Sequence, residues 1–558
     1  MAVATQKTVA SLMQKTLDRQ AAITRMKVRF KKNQIEQILI SYNRDGKTGP
    51  YGELLKVLQE CPINDNNYKI LLEDCLSCVV LLGRELKQFV DIVCNVEWAT
   101  RSEELVEMFS MFVLNLVTAH TYHCPRVMTS LVQLFKADGE NWDESPSEDT
   151  MKMWSNIHTV IAQIVAVIPM TSDLLMQKLI DQFPYYKAGV YPNRAYIHNL
   201  IWISKYIPSL REQIMAAIVS RLVIMDANVV DRSKNKQHIE TMFDMDVDEE
   251  DDASSTLDYG MIEVLKWLED ERDPVLDVMC TVFEKVILPT HGIRHVQFLL
   301  LYTISINQQC ADRILNNLWM VAAGLHDIGP GALVTRKTAA SHLAGLLARC
   351  VRVPNTRLIK YLKSMSEWCH SYITATQETT SNSNNTKVHG AFHAICHAVF
   401  YLVAFKHHHL FSSKENLNFI ESLNLPRLVT CTLNPLRTCP PQVTRTFSSV
   451  TRAYQVVYCQ AIIEKNTRHS LQHVTQYEEW FPYDPYTLPI SGKIIWPLCI
   501  EYKDFSKEGD DETQYAGMKR KLETDDDYFM SASPSQKLAS SLSNCISPGF
   551  KTSDNIMI

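Results

Sequence analysis

The chain has 558 residues, of which 46% are hydrophobic, with only 17 glycines, 15 cysteines and a formal net charge of −6. With that charge, and with Lys and Arg scattered rather than gathered into a stripe, no strong direct nucleic-acid binding is expected. Few glycines argue against an α/β enzyme rich in phosphate loops.

The amino end, MAVATQKTVASLMQKTLDRQ, lacks the short apolar core of a signal peptide, and no run of about 18 apolar residues follows anywhere. A soluble, intracellular chain with no membrane partner is expected, its cysteines reduced and packed as small hydrophobes. Residues 1–33 read as an amino-terminal arm, partly ordered, and 34–504 as one helical body. Gly46-Lys47-Thr48 looks like the end of a phosphate loop, but Ser41 stands where the first glycine is required, so the segment reads as a turn. Cys75 and Cys78 form a lone CLSC with no second pair, which suits core packing better than metal or redox chemistry.

Amphipathic helical segments punctuated by proline then run almost from end to end. VIAQIVAVIP followed by MTSDLLMQKLIDQFP echoes YIHNLIWISKYIP followed by SLREQIMAAIVSRLV, with Pro169 and Pro208 each closing an apolar helix and Ser172 and Ser209 placed to cap the next. A third unit pairs VTRKTAASHLAGLLARCVRVP, striped by Ala340, Leu343, Ala344 and Leu347, with NTRLIKYLKSMSEWCHSYI. Helix pairs recurring at about 40 residues predict an all-α solenoid of the HEAT or armadillo type, since each pair buries its apolar face only against its neighbours.

Between these units Asp244–Asp258 carries seven acids in its first nine residues and reads as a solvated loop. Thr374–Lys387 reads as a polar loop, and residues 505–558 as a disordered regulatory tail, too poor in large apolar side chains to offset the entropy of ordering. His326-Asp327 before a Gly-Pro-Gly turn, and His291 with His295, are weak metal signals. VHGAFHAICHAVFY is the strongest. His389 and His393 stand one turn apart, but His397 lies about 12 Å from His389 along a helix axis, too far for one ion. Val388, Phe392, Ile395, Val399 and Val403 make an apolar face and Ala391, Ala394 and Ala398 a small-residue face, so the segment reads as an interior helix with histidines along the seam. No metal or other cofactor is expected. His407–His409 are expected to decorate the end of that helix, where imidazolium suits the dipole.

FPYYKAGVYPNRAYIHNLIWISKYIPSLR, ILPTHGIRHVQFLLLY, the histidine segment, LNPLRTCPPQVTRTFSSVTRAYQVVYCQAIIEKNTR and FPYDPYTLP resemble, in order, successive blocks of the RNA polymerase I-specific transcription initiation factor family called TIF-IA in mammals. The resemblance runs with gaps from about Met26 to Trp496. It implies a HEAT-repeat protein without catalytic activity, nuclear and nucleolar, that binds RNA polymerase I, keeps it initiation-competent and bridges it to promoter-bound core factor for ribosomal RNA synthesis. The resemblance also implies that the free protein can form a homodimer. A HEAT-repeat transport receptor or general scaffold is the alternative reading.

Within that reading, Ser102 and Ser110 on RSEELVEMFSMF, together with Tyr185, Tyr186, Lys187 and Lys205, are the candidates for the polymerase interface, because exposed tyrosine beside a cation is enriched at interfaces. Ser145, Ser533 and Ser547, each before proline, and Thr524 before three aspartates are phosphorylation candidates. Lys519, Arg520 and Lys521 are candidates for nuclear import.

Overall fold

The computed structural model describes residues 30–46, 48–136, 139–235, 247–270, 272–290, 292–326, 332–378, 388–468, 482–483, 486–503 and 505. Contacts divide the chain into two compact units, Met1–Ile214 and Met215–Ile558. Among the described residues there is no strand, only an isolated antiparallel bridge between Cys350 and Cys499.

The first unit contains α1 (Gln34–Asp45), α2 (Thr48–Glu60), α3 (Asp65–Ser77), α4 (Lys87–Val93), α5 (Glu103–Ala119), α6 (Cys124–Gln133), α7 (Glu148–Val167), α8 (Thr171–Asp181) and α9 (Val190–Tyr206). Starts are fixed by local chemistry. Asn64 and Ser147 accept from the backbone N–H three residues on, and Glu103, Glu104, Glu148 and Asp149 place negative charge at the positive end of the helix dipole. Contacts between α3, α5, α7 and α9 show one parallel layer. Asp65 pairs with Arg101 at 2.6 Å and Lys69 with Glu104 at 2.5 Å. Ala99 O accepts from Asn156 at 2.8 Å while Ser110 donates to Gln163, and Trp154 meets His198 where His158 meets Trp202. In each pair the partner numbers rise together. α2 packs on α4 and α6 on α8 in the second layer, with Arg126 and Asp91 3.3 Å apart.

Three helices of the first layer end alike. His120, Ile168 and Ile207 leave the helix at φ −136°, −126° and −120° with ψ of 79°, 82° and 78°. A following proline forces residues 168 and 207 out of the α region, and that is the structural content of the sequence echo. The capping assignments of Ser172 and Ser209 do not hold. α8 starts at Thr171, Ser172 turns back to donate to Pro169 O at 2.9 Å, and Ser209 lies within the 3₁₀ turn Pro208–Leu210.

The second unit takes in α10 (Arg211–Asn235) from Met215 on, then α11 (Val247–Asp270), α12 (Arg272–Val282), α13 (Phe298–Ile306), α14 (Gln308–Ala323), α15 (Ala332–Arg349), α16 (Asn355–Glu378), α17 (Gly390–Phe405), α18 (His407–Leu410), α19 (Lys414–Ser422), α20 (Leu425–Thr430), α21 (Pro441–Ala453), α22 (Gln460–Arg468) and α23 (Pro489–Ile495). α12, α14 and α16 repeat the parallel arrangement. Arg313 meets Asp277 and Arg357 meets Asp312, both at 2.6 Å, and Trp368 Nε1 donates to Ala323 O at 3.2 Å. Ala340, Leu343, Ala344 and Leu347 of α15 are buried, as their stripe predicts, and α15 packs on α17.

Two loop boundaries need correction. The acidic run continues into α11 from Val247, and Leu257 and Asp258 are buried. An apolar stripe at Leu257, Met261, Val264, Leu265 and Leu268 overrides the charge of the residues before it. Residues 244–246 lie outside the described set. Thr374–Glu378 is the last turn of α16, not loop, and 379–387 lie outside the described set.

Three buried aspartates tie distant segments together. Asp74 accepts from Asn33 N at 2.8 Å and Ile35 N at 3.0 Å, fixing the start of α1. Asp226 Oδ2 accepts from the backbone of Arg294, His295 and Val296 at 2.8–3.1 Å. Asp258 accepts from Ile490 N at 2.7 Å and Ser491 N at 2.8 Å at the start of α23. The segment around α23 thereby straps back over the second unit. Tyr483 OH reaches His342 Nδ1 at 3.1 Å, and its ring lies where Gly345 leaves no room for a Cβ. Ile500 N donates to Arg349 O at 2.7 Å.

Candidate functional site

The histidine helix starts two residues later than its sequence suggests. His389 is the residue before α17, and Val388, assigned to the apolar face, is 61% exposed. The rest of the face holds: Phe392, Ile395, Val399 and Val403 are buried, as are Ala391 and Ala398. Each histidine has a hydrogen-bond partner. His389 Nδ1 meets Tyr372 OH at 2.9 Å, His393 Nε2 donates to Leu433 O at 3.1 Å, and His397 Nε2 lies 3.1 Å from both Pro435 O and Thr438 Oγ1. The seam therefore holds the loop between α20 and α21. Burial lowers the His393 pKa to about 4 and the His397 pKa to about 3, keeping both neutral at pH 7. Among the described residues no group of three His, Cys, Asp or Glu is arranged to hold a metal ion.

The remaining signals have the same character. Cys75 and Cys78 are buried thiols in and after α3, and burial raises both pKa values. Gly46, at φ 65°, ends α1, and Gly324, at φ 75°, ends α14 just before an exposed His326. His295 is buried and bonds Asp226 Oδ1 at 2.8 Å and Thr487 Oγ1 at 2.7 Å. Burial opposes the ionisation of Asp226, but the His295 ring and the surrounding backbone N–H groups outweigh it, so its pKa is lowered. His407 is buried against Ala404 O at 3.0 Å, so it closes the end of α17 from inside rather than decorating it. His291 and Asp327 lie outside the described residues.

Of the interface candidates, the parallel layer brings some together and separates others. Ser102 is exposed at the start of α5, and Ser145 is exposed in the turn that leads into α7. Tyr185, 60% exposed, Tyr186, half-buried with its ring 4.5 Å from that of Tyr185, and exposed Lys187 lie in the turn that leads into α9. Because α5, α7 and α9 are parallel, these residues share one edge of the layer. Lys205 is exposed but stands about 22 Å along α9 from its start, at the opposite edge. Ser110 is not a surface residue. It is 7% exposed, and its hydroxyl donates to Gln163 Oε1 between α5 and α7. Thr524, Ser533, Ser547, Lys519, Arg520 and Lys521 lie outside the described residues.

Sequence reasoning passes over the exposed face of α21. Val443, Phe447 and Val450 are buried, which leaves Arg445, Ser449 and Arg452 in solvent. The signal is the i, i+7 spacing of the two arginines opposite that apolar stripe.

The chain matches the family described as RNA polymerase I specific transcription initiation factor RRN3 over residues 25–273 and 263–507. It is 28% identical over 559 residues to the mouse RNA polymerase I-specific transcription initiation factor RRN3, covering 89% of this chain and 84% of that one. The Schizosaccharomyces pombe protein of the same description is 23% identical, over 79% of this chain and 81% of its own. A solved structure titled "Crystal Structure of RNA Polymerase I Transcription Initiation Factor Rrn3" superposes with a TM-score of 0.68 at 19% identity, covering 85% of this chain and 99% of that one, and so shares the fold.

Proposed function

Because this chain belongs to the RNA polymerase I-specific transcription initiation factor RRN3 family, we propose that it is a non-catalytic initiation factor which binds RNA polymerase I, keeps the enzyme competent to initiate and bridges it to promoter-bound core factor at ribosomal RNA genes. The observation that carries this reading is the extent of the match, which runs through both helical units rather than one motif. The hydrogen bonds of the buried histidines support a non-catalytic role, since those rings hold backbone carbonyls and a hydroxyl. A nuclear protein concentrated in the nucleolus follows from such a role, with a homodimer as the state of the free protein.

The edge formed by the starts of α5, α7 and α9 is the surface we assign to the polymerase. Aromatic rings beside a cation at Tyr185, Tyr186 and Lys187 suit a protein partner, and Ser102 and Ser145 are placed on the same edge for a phosphate to close it. Affinity purification of the tagged full chain, followed by mass spectrometry, tests the reading. RNA polymerase I subunits should co-purify, and Tyr186→Ala with Lys187→Ala should reduce their recovery at least about fivefold without changing the melting temperature. Recovery of a different large complex by the wild-type chain would overturn the assignment. Undiminished recovery by the double variant would move the interface off this edge.

A further inference from the structure

The last described residue, Phe505, lies against the second unit, its ring 5.3 Å from that of His407 and 6.5 Å from that of Tyr454. Tyr454 follows the final residue of α21, whose exposed face carries Arg445 and Arg452 two turns apart. Tyr458, 70% exposed, and the cations of α22, a helix with no buried residue, continue beyond it. Among the described residues neither Arg445 nor Arg452 has a carboxylate partner.

We propose that this face of α21 is the docking site for the acidic start of the chain's own carboxyl tail, Glu508–Glu512. Charge selects the occupant: Glu508, Asp510, Asp511 and Glu512 follow Lys507 within a few residues of Phe505. Reach permits it. A chain advances at most about 3.5 Å per residue, so Asp510 extends up to about 17 Å from Phe505. Arg445 lies about 14 Å back along α21 from Tyr454 at a rise of about 1.5 Å per residue. Tethering makes a weak pairing sufficient, because a short linker holds the acids at an effective concentration on the order of millimolar. The planar guanidinium forks then match carboxylates two oxygens at a time, which is why arginine suits this role better than lysine.

The test is hydrogen–deuterium exchange of the full-length chain, read over the carboxyl-terminal half of α21 and the turn after it. Neutralising the tail with Asp510→Asn, Asp511→Asn and Glu512→Gln should raise exchange there about threefold or more. Raising salt to about 0.5 M should do the same to the wild type and nothing further to the neutralised chain. Arg445→Glu with Arg452→Glu, both at exposed positions, should give the same rise, and adding Asp510→Lys with Asp511→Lys should reverse it. Equal exchange in wild-type and neutralised chains overturns the proposal. So does protection that grows with protein concentration, which assigns the face to a second copy, or protection that appears only on adding duplex DNA.

Discussion

α17 and α22 are both helices of the second unit, and they are opposites. Of the sixteen residues of α17 all but Ala394 are buried, whereas α22 buries none. The lesson is a division of labour within one unit. The interior helix keeps His393 and His397 where a neighbouring loop supplies a hydrogen bond, and the outer helix keeps its cations in water, where a partner can reach them.

The sharpest way to break that contrast is truncation of one apolar side chain in each helix. Phe400→Ala should cost about 3–5 kcal/mol in urea-unfolding free energy, and Ile463→Ala, half-exposed on α22, under about 1 kcal/mol. Comparable losses would mean that α22 is part of the core.

Acid should then distinguish the interior from the surface. His393 and His397 titrate at about 4 and about 3 in the folded chain against an ordinary 6.5, so between those values the unfolded chain binds protons that the folded one refuses. Stability is therefore full above pH 6.5 and falls as the pH drops toward 4, by about 1.4 kcal/mol per histidine per pH unit. Denaturant midpoints at pH 7 and pH 5 check this, and His397→Gln should flatten the slope. A midpoint independent of pH would contradict neutral, buried rings.

Asp258→Ala should cost about 2–3 kcal/mol, because it strands two backbone N–H groups at the start of α23. Limited proteolysis around residues 482–500 should speed up with it, and an unchanged cleavage rate would show that the strap is held by its aromatic contacts instead. The smallest expected effect is at Ser102→Asp, worth no more than about 0.5 kcal/mol and of stabilising sign at a helix start. Ser110→Asp, buried against Gln163, should destabilise by roughly 3 kcal/mol. Similar melting temperatures for the two variants would undo the distinction between edge and interior serines.

Periodicity made the paired helices legible, down to the proline-forced exits at Ile168 and Ile207 and the buried stripe of α15. It failed where one residue's neighbours mislead. Asp258 follows an acidic run, yet it is a buried cap whose partner is 233 residues away, and no local pattern announces a contact of that span. Ser110 looked like a surface serine because serine fits either face of a helix, and only the register against α7 decides. The tyrosine turn was legible from its proline and glycine. Its sharing of an edge with Ser102 and Ser145, and the separation of Lys205, followed from helix direction, which sequence does not carry.

The strap also bears on synthesis. Asp258 leaves the ribosome 233 residues before Ser491. At translation rates of about 5–20 residues per second it waits roughly 10–50 s for its partner. During that interval α11, α13 and α15 lack the cover that Tyr483, Tyr486 and α23 later provide. The nascent second unit thus keeps apolar surface open until the strap is made, and a chain that ends before residue 482 lacks that cover altogether.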